Sequence, residues 1–219
     1  MLPGAIIGDI AGSRFEHNNY RNIHFDIFDA GCHITDDTVC TVTVAEWIAA
    51  GGKNDLAAIM QRWCQKYPDA GYGGIFYEWI QATKPKPCNS FGNGSVMRVS
   101  PVAWLFDDLE MTLKYAEQSA AITHNHPEGI KGAQAIAAAI WWARSGKNKA
   151  YIKKQIENRF ACALNDTCDH IRQHHESGAT CAATVPLVII AFLESEDFAH
   201  AIHLAVSPGG DSDTIAAMA

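Results

Sequence analysis

The chain has 219 residues, a formal net charge of −7, and 48% hydrophobic against 19% charged residues. This composition is typical of one globular domain with a substantial core, so we predict a single domain over residues 1–219. The acidic balance lacks the basic stripe that a nucleic-acid partner requires, which argues against nucleic-acid binding.

The opening segment MLPGAIIGDIAG is apolar, but it has no basic start and carries Asp9, so we predict no signal peptide. The longest apolar run, CAATVPLVIIAFL, contains Pro186 and is shorter than the roughly 18 residues that a membrane span needs. The seven cysteines are an odd number without a C-x-x-C pair. They indicate free, buried thiols of a reducing cytoplasm, and we expect a soluble cytoplasmic protein without a membrane partner.

Apolar residues recur with the helical period along most of the chain, and the Ala-rich stretches favour helix over strand. The pattern predicts helices at about residues 39–50, 55–66, 72–83, 109–122, 128–144, 149–163, 180–194 and 196–206. We therefore predict an all-α fold, as a single compact multi-helix domain. Two long polar loops, at residues 13–34 and 84–101, interrupt the helices, and loops of that length are uncommon unless functional or disordered.

Three glycines near the start, Gly4, Gly8 and Gly12, lie four residues apart. In a helix they share one face and allow another backbone to approach closely, which favours a role in tight helix packing.

Two short acidic segments precede apolar helical runs: TDDT at residues 35–38 and DSDT at residues 211–214. One polar side chain suffices to cap a helix, and acids at a helix start gain only about 0.3–1 kcal/mol from the macrodipole. Capping explains either segment alone, but it does not explain two acids in each. If the two helix starts meet, their oxygens form a ligand set suited to Mg²⁺, Mn²⁺ or Ca²⁺ rather than zinc.

His170 and His174 have the spacing of a zinc-binding pair, within the segment DHIRQHHES. The sequence offers no third zinc ligand at a characteristic spacing from this pair, so a solvated helix face is the favoured interpretation. The sequence contains no Walker loop, dinucleotide fingerprint or G-x-S-x-G elbow.

Five segments together resemble the ADP-ribosylglycohydrolase family, which includes the dinitrogenase reductase-activating glycohydrolase. They are GAIIGDIAGSRFE, TDDT, SFGNGSVMR, THNHPEG and GGDSDT, in the family's order and across nearly the whole chain. The resemblance implies a compact all-α fold around a binuclear Mg²⁺ site, with Mn²⁺ as an alternative. By position, the metal ligands would be Thr35, Asp36, Asp37, Asp211, Asp213 and Thr214.

The same resemblance implies a site for ADP-ribose beside the metals. Glu16 would be the catalytic acid or base, in a loop that we expect to be mobile. Arg98 would pair with an acid of the site's outer shell. The substrate-binding residues would be Ser90, Phe91, Gly92, Asn93, Gly94 and His124, with Phe91 stacked on adenine and His124 donating to the diphosphate. Taken alone, FGNGS is also typical of an ordinary turn.

The resemblance predicts a monomeric, metal-dependent hydrolase that releases ADP-ribose from an ADP-ribosylated protein or a small-molecule ADP-ribose conjugate. Family chains usually continue beyond the DSDT helix, whereas this sequence stops at Ala219. From that difference we expect weaker metal binding and lower stability. One alternative is therefore a non-catalytic, crystallin-like or ADP-ribose-binding member of the same fold, and another is a plain Ca²⁺-binding helical protein.

Overall fold

The structure, a computed structural model, describes residues 2–174 and 178–219. Helices dominate these residues, and a single bridge between Gly92 and Thr180 is the β-type pairing found among them. The α-helices are α1 (Leu2–Ser13), α2 (Asp36–Ala49), α3 (Leu56–Lys66), α4 (Gly74–Gln81), α5 (Leu109–Ala121), α6 (Pro127–Arg144), α7 (Lys149–Phe160), α8 (Cys168–His174), α9 (Cys181–Glu194), α10 (Phe198–Val206) and α11 (Ser212–Met218). The predicted all-α class is confirmed.

Local capping chemistry sets most helix starts. Short polar side chains at the residue before the helix accept a hydrogen bond from a backbone N–H of the first turn, which satisfies a donor that the helix itself leaves free. These caps are Thr35, Asp55, Asp108, Asn148, Thr180 and Asp197. Because such signals are local, all eight predicted segments contain a helix, with ends that differ by at most three residues, as at residue 39 against Asp36.

The first and last helices, α1 and α11, pack backbone to backbone. A Cβ placed on Gly12 would lie 2.5 Å from the Cα of Asp213, and a Cβ on Gly8 would lie 2.8 Å from the amide nitrogen of Ala217. Only glycine permits so close an approach. Gly4 makes no such demand, because its Cβ would lie an ordinary 3.6 Å from the ring of Phe198. Gly8 and Gly12 thus allow the first and last described helices, α1 and α11, to lie in direct backbone contact.

The interior is built around α6 and α9. Apolar residues make up most of both helices, and each helix buries at least half of its residues, including Ile136 and Trp142 on α6 and Ile189 on α9. Neither these helices nor the others in the described part of the chain are long and apolar enough to cross a membrane.

The first predicted loop folds around an aromatic cluster. Phe15 is buried, and its ring lies 4.6 Å from Tyr20 and 4.9 Å from Phe25, which in turn meets the imidazole of His203. Arg14 forms an ion pair with Asp29 of the same loop. Glu16 therefore directly follows a buried aromatic residue, Phe15, in a segment that is held by aromatic contacts and an ion pair.

The second predicted loop is partly helical and partly interior. It contains 3-10 helices at Asn93–Ser95 and Ser100–Trp104, and the side chains of Val96, Arg98 and Val99 are buried. The connection at residues 84–101 is therefore less polar and less irregular than the predicted long polar loop, because glycine, serine and proline indicate turns locally while burial is decided by the helices around them.

All seven cysteines are free thiols, as expected. Four are buried: Cys40, Cys64, Cys168 and Cys181. Cys32 and Cys162 are half-buried, and Cys88 is exposed, so the expectation of burial fails at these three positions.

Candidate metal centre and cleft

The two acidic segments meet where the first turns of α2 and α11 face each other. Thr214 donates its hydroxyl to Oδ2 of Asp37 at 2.9 Å, and Thr35 approaches the same oxygen at 3.4 Å. Thr35 also provides the cap of α2, whereas Asp211 stands at the cap position of α11 without capping it. The acids are therefore not needed as caps, and the juxtaposition that the sequence predicted is present.

Two buried carboxylate oxygens in this centre have no hydrogen-bond donor among the described residues: Oδ1 of Asp37 and Oδ1 of Asp213. A buried anionic oxygen without a partner is costly, and a cation is the usual partner. With threonine hydroxyls beside them, these oxygens form the hard donor set that suits Mg²⁺ or Mn²⁺. The residues present fit a divalent metal.

Asp9 lies directly behind the centre and was not assigned to it from the sequence. Its carboxylate accepts hydrogen bonds from the amide and the hydroxyl of Thr35, at 3.0 and 2.7 Å, and from the amide of Thr38 at 3.1 Å. Its oxygens are within 4.8 Å of those of Asp37 and Asp213. Asp9 thus fixes the start of α2 against α1. Its signal in the sequence was an acid within an apolar segment, and the structure shows that it is fully buried.

Glu16 belongs to a second carboxylate group on the cleft side of the centre. Oxygens of Glu16, Asp211 and Asp213 all lie within 4.8 Å of one another, so Asp213 is common to both groups. From the sequence, Glu16 was expected to be a catalytic residue and not a metal ligand. In the structure its carboxylate lies close enough to Asp211 and Asp213 for the three to share a cation.

Burial and mutual repulsion raise the pKa values of these acids. Burial, followed by the charges of neighbouring acids, raises the pKa of Asp36 to about 8 and that of Asp213 to about 9. The same causes raise the pKa of Asp37 well above its ordinary value, and burial raises that of Glu16. Without a cation the centre therefore holds protons, and a divalent ion competes with them.

A cleft of about 340 Å³ opens beside the acids, a volume within the range of small-molecule sites. Of the predicted residues, its lining includes Glu16, Asp36, Ser90, Gly92, Asn93, Gly94, His124, Asp211 and Thr214. Ile75 and Phe76, at the start of α4, line it as well, although no sequence pattern indicated them. A Cβ on Gly94 would lie 3.1 Å from the ring of His124, so the glycine lets the imidazole lie close against the backbone of this loop.

Two of the predicted substrate-binding residues have other contacts in this structure. The amide of Asn93 donates to Asp211 at 2.5 Å and to Thr184 at 3.2 Å, so its donors orient a metal-site acid. Phe91 is exposed and packs edge-on against His126, at 5.5 Å between ring centres. Its role in stacking on adenine remains a prediction.

Arg98 is buried and forms none of the ion pairs found in the described part of the chain, so the expected pairing with an outer acid is absent there. His170 and His174 stack at 4.3 Å on α8, and His170 lies 2.8 Å from Asp166. Both histidines are exposed, as expected for a solvated helix face, and neither belongs to a group of three metal-ligating residues among those described. Residues 175–177 of that segment lie outside the described residues.

Comparison with known proteins agrees with this arrangement. The sequence model of the ADP-ribosylglycohydrolase family matches residues 1–219. The chain belongs to the ADP-ribosylglycohydrolase family. A solved structure described as an ADP-ribosylglycohydrolase-related protein complex superposes with a TM-score of 0.74 at 21% identity, covering 99% of this chain and 82% of that one. The fold predicted from the resemblance is confirmed.

The chain is also similar in sequence to two named proteins. The ADP-ribosylhydrolase ARH3 of Homo sapiens is 27% identical over 189 residues, which cover 71% of this chain and 52% of that protein. The ADP-ribosyl-[dinitrogen reductase] glycohydrolase of Rhodospirillum rubrum is 27% identical over 200 residues, covering 85% of this chain and 66% of that protein. The chain spans about half the length of the ARH3 relatives it matches.

Proposed function

We propose that this protein is a metal-dependent hydrolase that cleaves the glycosidic bond of an ADP-ribosylated protein or small-molecule conjugate and releases ADP-ribose. The observation that carries the proposal is the pair of carboxylate oxygens on Asp37 and Asp213 that have no donor among the described residues. Their neighbours Asp36 and Asp211 line the cleft together with Glu16. Family membership, together with the activity named for the relatives, supports the same class of reaction.

Two Mg²⁺ ions, or Mn²⁺ in their place, are the proposed cofactors. The residues that would hold them are Thr35, Asp36, Asp37, Asp211, Asp213 and Thr214. When bound, the metal supplies charge neutralisation and Lewis-acid activation of a water or a ribose hydroxyl. Asp9 and Asn93 keep these ligands in place through their hydrogen bonds to Thr35 and Asp211.

Glu16 is the proposed acid or base of the reaction. Glycosidic cleavage passes through an oxocarbenium-like state, in which a carboxyl group protonates the leaving group or removes a proton from the attacking water. Glu16 is half-buried at the junction of the acids and the open cleft, so it can reach both the anomeric centre of a bound ribose and solvent.

The glycine-containing loop is the proposed diphosphate site. Gly92 and Gly94 present backbone without side chains to the cleft, and the hydroxyl of Ser90 and the imidazole of His124 lie beside them. Ile75 and Phe76, which line the same cleft, would supply apolar contact for the rest of the nucleotide.

Release of ADP-ribose in Mg²⁺ and in EDTA tests the proposal, with ADP-ribosylated arginine, ADP-ribosylated serine and poly-ADP-ribose as substrates. We expect turnover of at least one substrate that is lost on chelation and restored by Mg²⁺ or Mn²⁺. Calorimetry with ADP-ribose identifies the non-catalytic alternative, for which tight binding would occur without release. No release from any of these substrates by the metal-loaded protein would refute the enzymatic proposal.

A further inference from the structure

Arg98 is a buried residue that lines the cleft, and it is linked to His124 through the hydroxyl of Thr123. Arg98 is only 1% exposed, and its Nη2 donates to the carbonyl of Ser119 at 3.0 Å and to Oγ1 of Thr123 at 2.7 Å. An arginine has donors and no acceptor, so both contacts have a fixed direction.

The direction of the next contact follows from the first. Thr123 is fully buried, and its hydroxyl oxygen already accepts from Arg98. The hydroxyl proton must therefore find an acceptor, since buried polar groups are almost always satisfied. Within the described part of the chain, the acceptor at hydrogen-bonding distance is Nδ1 of His124, at 2.7 Å.

This chain of donors determines the tautomer of His124. If Nδ1 accepts from Thr123, the proton of the neutral imidazole is on Nε2. Nε2 faces the glycine loop, because a Cβ on Gly94 would lie 3.1 Å from it and a Cβ on Gly92 would lie 3.7 Å away. Burial and the charge of Arg98 lower the pKa of His124 to about 3, so the ring is neutral near pH 7.

We propose that Arg98 and Thr123 are positioning residues that lock His124 as a neutral imidazole with its single N–H on Nε2, directed at the anionic part of a ligand on the Gly92–Gly94 loop. The opposite tautomer would present a lone pair to that anion and repel it. The identity of the ligand as a diphosphate rests on the proposed function, whereas the tautomer is a property of the ligand-free protein.

The tautomer is measured by ¹⁵N NMR of histidine-labelled, ligand-free protein in wild type, Thr123→Val and Thr123→Ser. Comparison with His124→Gln assigns the signals. We expect a pyridine-type δ1 and a pyrrole-type ε2 nitrogen between pH 5 and 8 in wild type and in Thr123→Ser. In Thr123→Val, which has nearly the same shape but no hydroxyl, we expect this pattern to be lost. A proton on Nδ1 in wild type, or an unchanged pattern in Thr123→Val, would overturn the proposal.

The consequence for binding is measured by calorimetry with ADP-ribose in the presence of Mg²⁺. A hydrogen bond to a charged group is worth enough for the affinity of Thr123→Val to fall about 10- to 100-fold, while Thr123→Ser stays within about threefold of wild type. Metal binding should be equal in all three, because Thr123 is not part of the acidic centre. Equal losses of affinity in the Val and Ser variants would contradict the role of the hydroxyl.

Failure of the proposed function is distinguishable from failure of this inference. A wild-type protein that releases no ADP-ribose would remove the enzymatic assignment, while the NMR pattern of the ligand-free protein would still decide whether the relay from Arg98 exists.

Discussion

The carboxylates of Asp37 and Asp213 are the most informative residues of the site. Each has one buried oxygen that meets no donor in the described part of the chain, and each has a raised pKa, because burial and neighbouring acids both disfavour its charge. A side chain retained only for capping would have no reason to leave such an oxygen unpaired. The proposed cation would supply the partner that both oxygens lack.

Asp213→Ala should abolish turnover and weaken Mg²⁺ binding, because Asp213 belongs to both carboxylate groups. The variant should still fold, since the change also removes a source of repulsion from the metal-free centre. Asp197→Ala is the matched control: Asp197 caps α10 by accepting a bond from the amide of His200, and among the described residues it belongs neither to the carboxylate groups nor to the cleft lining. The control should lose about 0.5–2 kcal/mol of stability and keep its activity. Wild-type activity and metal stoichiometry in Asp213→Ala would refute the assignment.

Glu16→Gln should lower the single-turnover rate at saturating Mg²⁺ by about 10²–10⁴-fold, because the amide keeps the shape but cannot exchange a proton. Since Glu16 lies within 4.8 Å of Asp211 and Asp213, we also expect a weaker metal affinity, measured separately by calorimetry. ADP-ribose affinity at saturating metal should change little. A rate restored to wild type by excess Mg²⁺ would make Glu16 a ligand only.

At the level of elements, the site depends on the contact between α1 and α11. These helices come from the two ends of the described chain, and their close approach places Asp9, on α1, behind the first turn of α2 and beside Asp213 on α11. The Ser212 hydroxyl reinforces the contact by donating to the carbonyl of Gly12 at 3.1 Å. The metal centre is therefore sensitive to the separation of two helices.

Gly12→Ala should destabilise the protein by about 1–3 kcal/mol, because the new Cβ would lie 2.5 Å from the Cα of Asp213 and force α1 and α11 apart. Mg²⁺ affinity should fall with stability, since Asp213 moves with its backbone. Gly4→Ala on the same helix face is the control, and we expect its stability to change by no more than about 0.5 kcal/mol. Chemical denaturation with and without Mg²⁺ measures both effects, and equal behaviour of the two variants would contradict the packing argument.

At the scale of the whole molecule, the raised pKa values of the buried acids make the stability of the metal-free protein depend on pH. A carboxyl group whose folded-state pKa is raised from 3.8 to about 8 or 9 keeps a proton that the unfolded chain releases, as for Asp36 and Asp213. The unfolded state is therefore favoured progressively as the pH rises through that window.

In EDTA we expect the melting temperature to decrease as the pH rises from about 5 to 8.5, because these acids must either stay protonated or repel one another. Mg²⁺ should raise the melting temperature most at the alkaline end, where it competes with fewer protons. Sodium chloride at matched ionic strength is the control for screening. A metal-free melting temperature that increases steadily over this range would contradict the raised pKa values.

The positions of the helices followed from the sequence, because their causes are local. Apolar residues at the helical period and capping side chains such as Thr35, Asp108 and Asn148 act within a few residues of where they stand. The meeting of TDDT with DSDT was also predictable, since two acids in each segment exceed what capping requires. The helical glycine stripe indicated a close backbone approach, and Gly8 and Gly12 fulfil it.

Only the tertiary structure decided which acids lie close enough to repel one another and which polar groups are joined by hydrogen bonds. Asp9 and Glu16 join the acids through contacts across α1, α2 and α11, and no local pattern measures such distances. The proposed relay from Arg98 through Thr123 to His124 joins two segments 25 residues apart, and its direction depends on the burial of Thr123. Electrostatic coupling and hydrogen-bond direction are set by the surroundings of a side chain in space, and the packing of distant segments creates those surroundings.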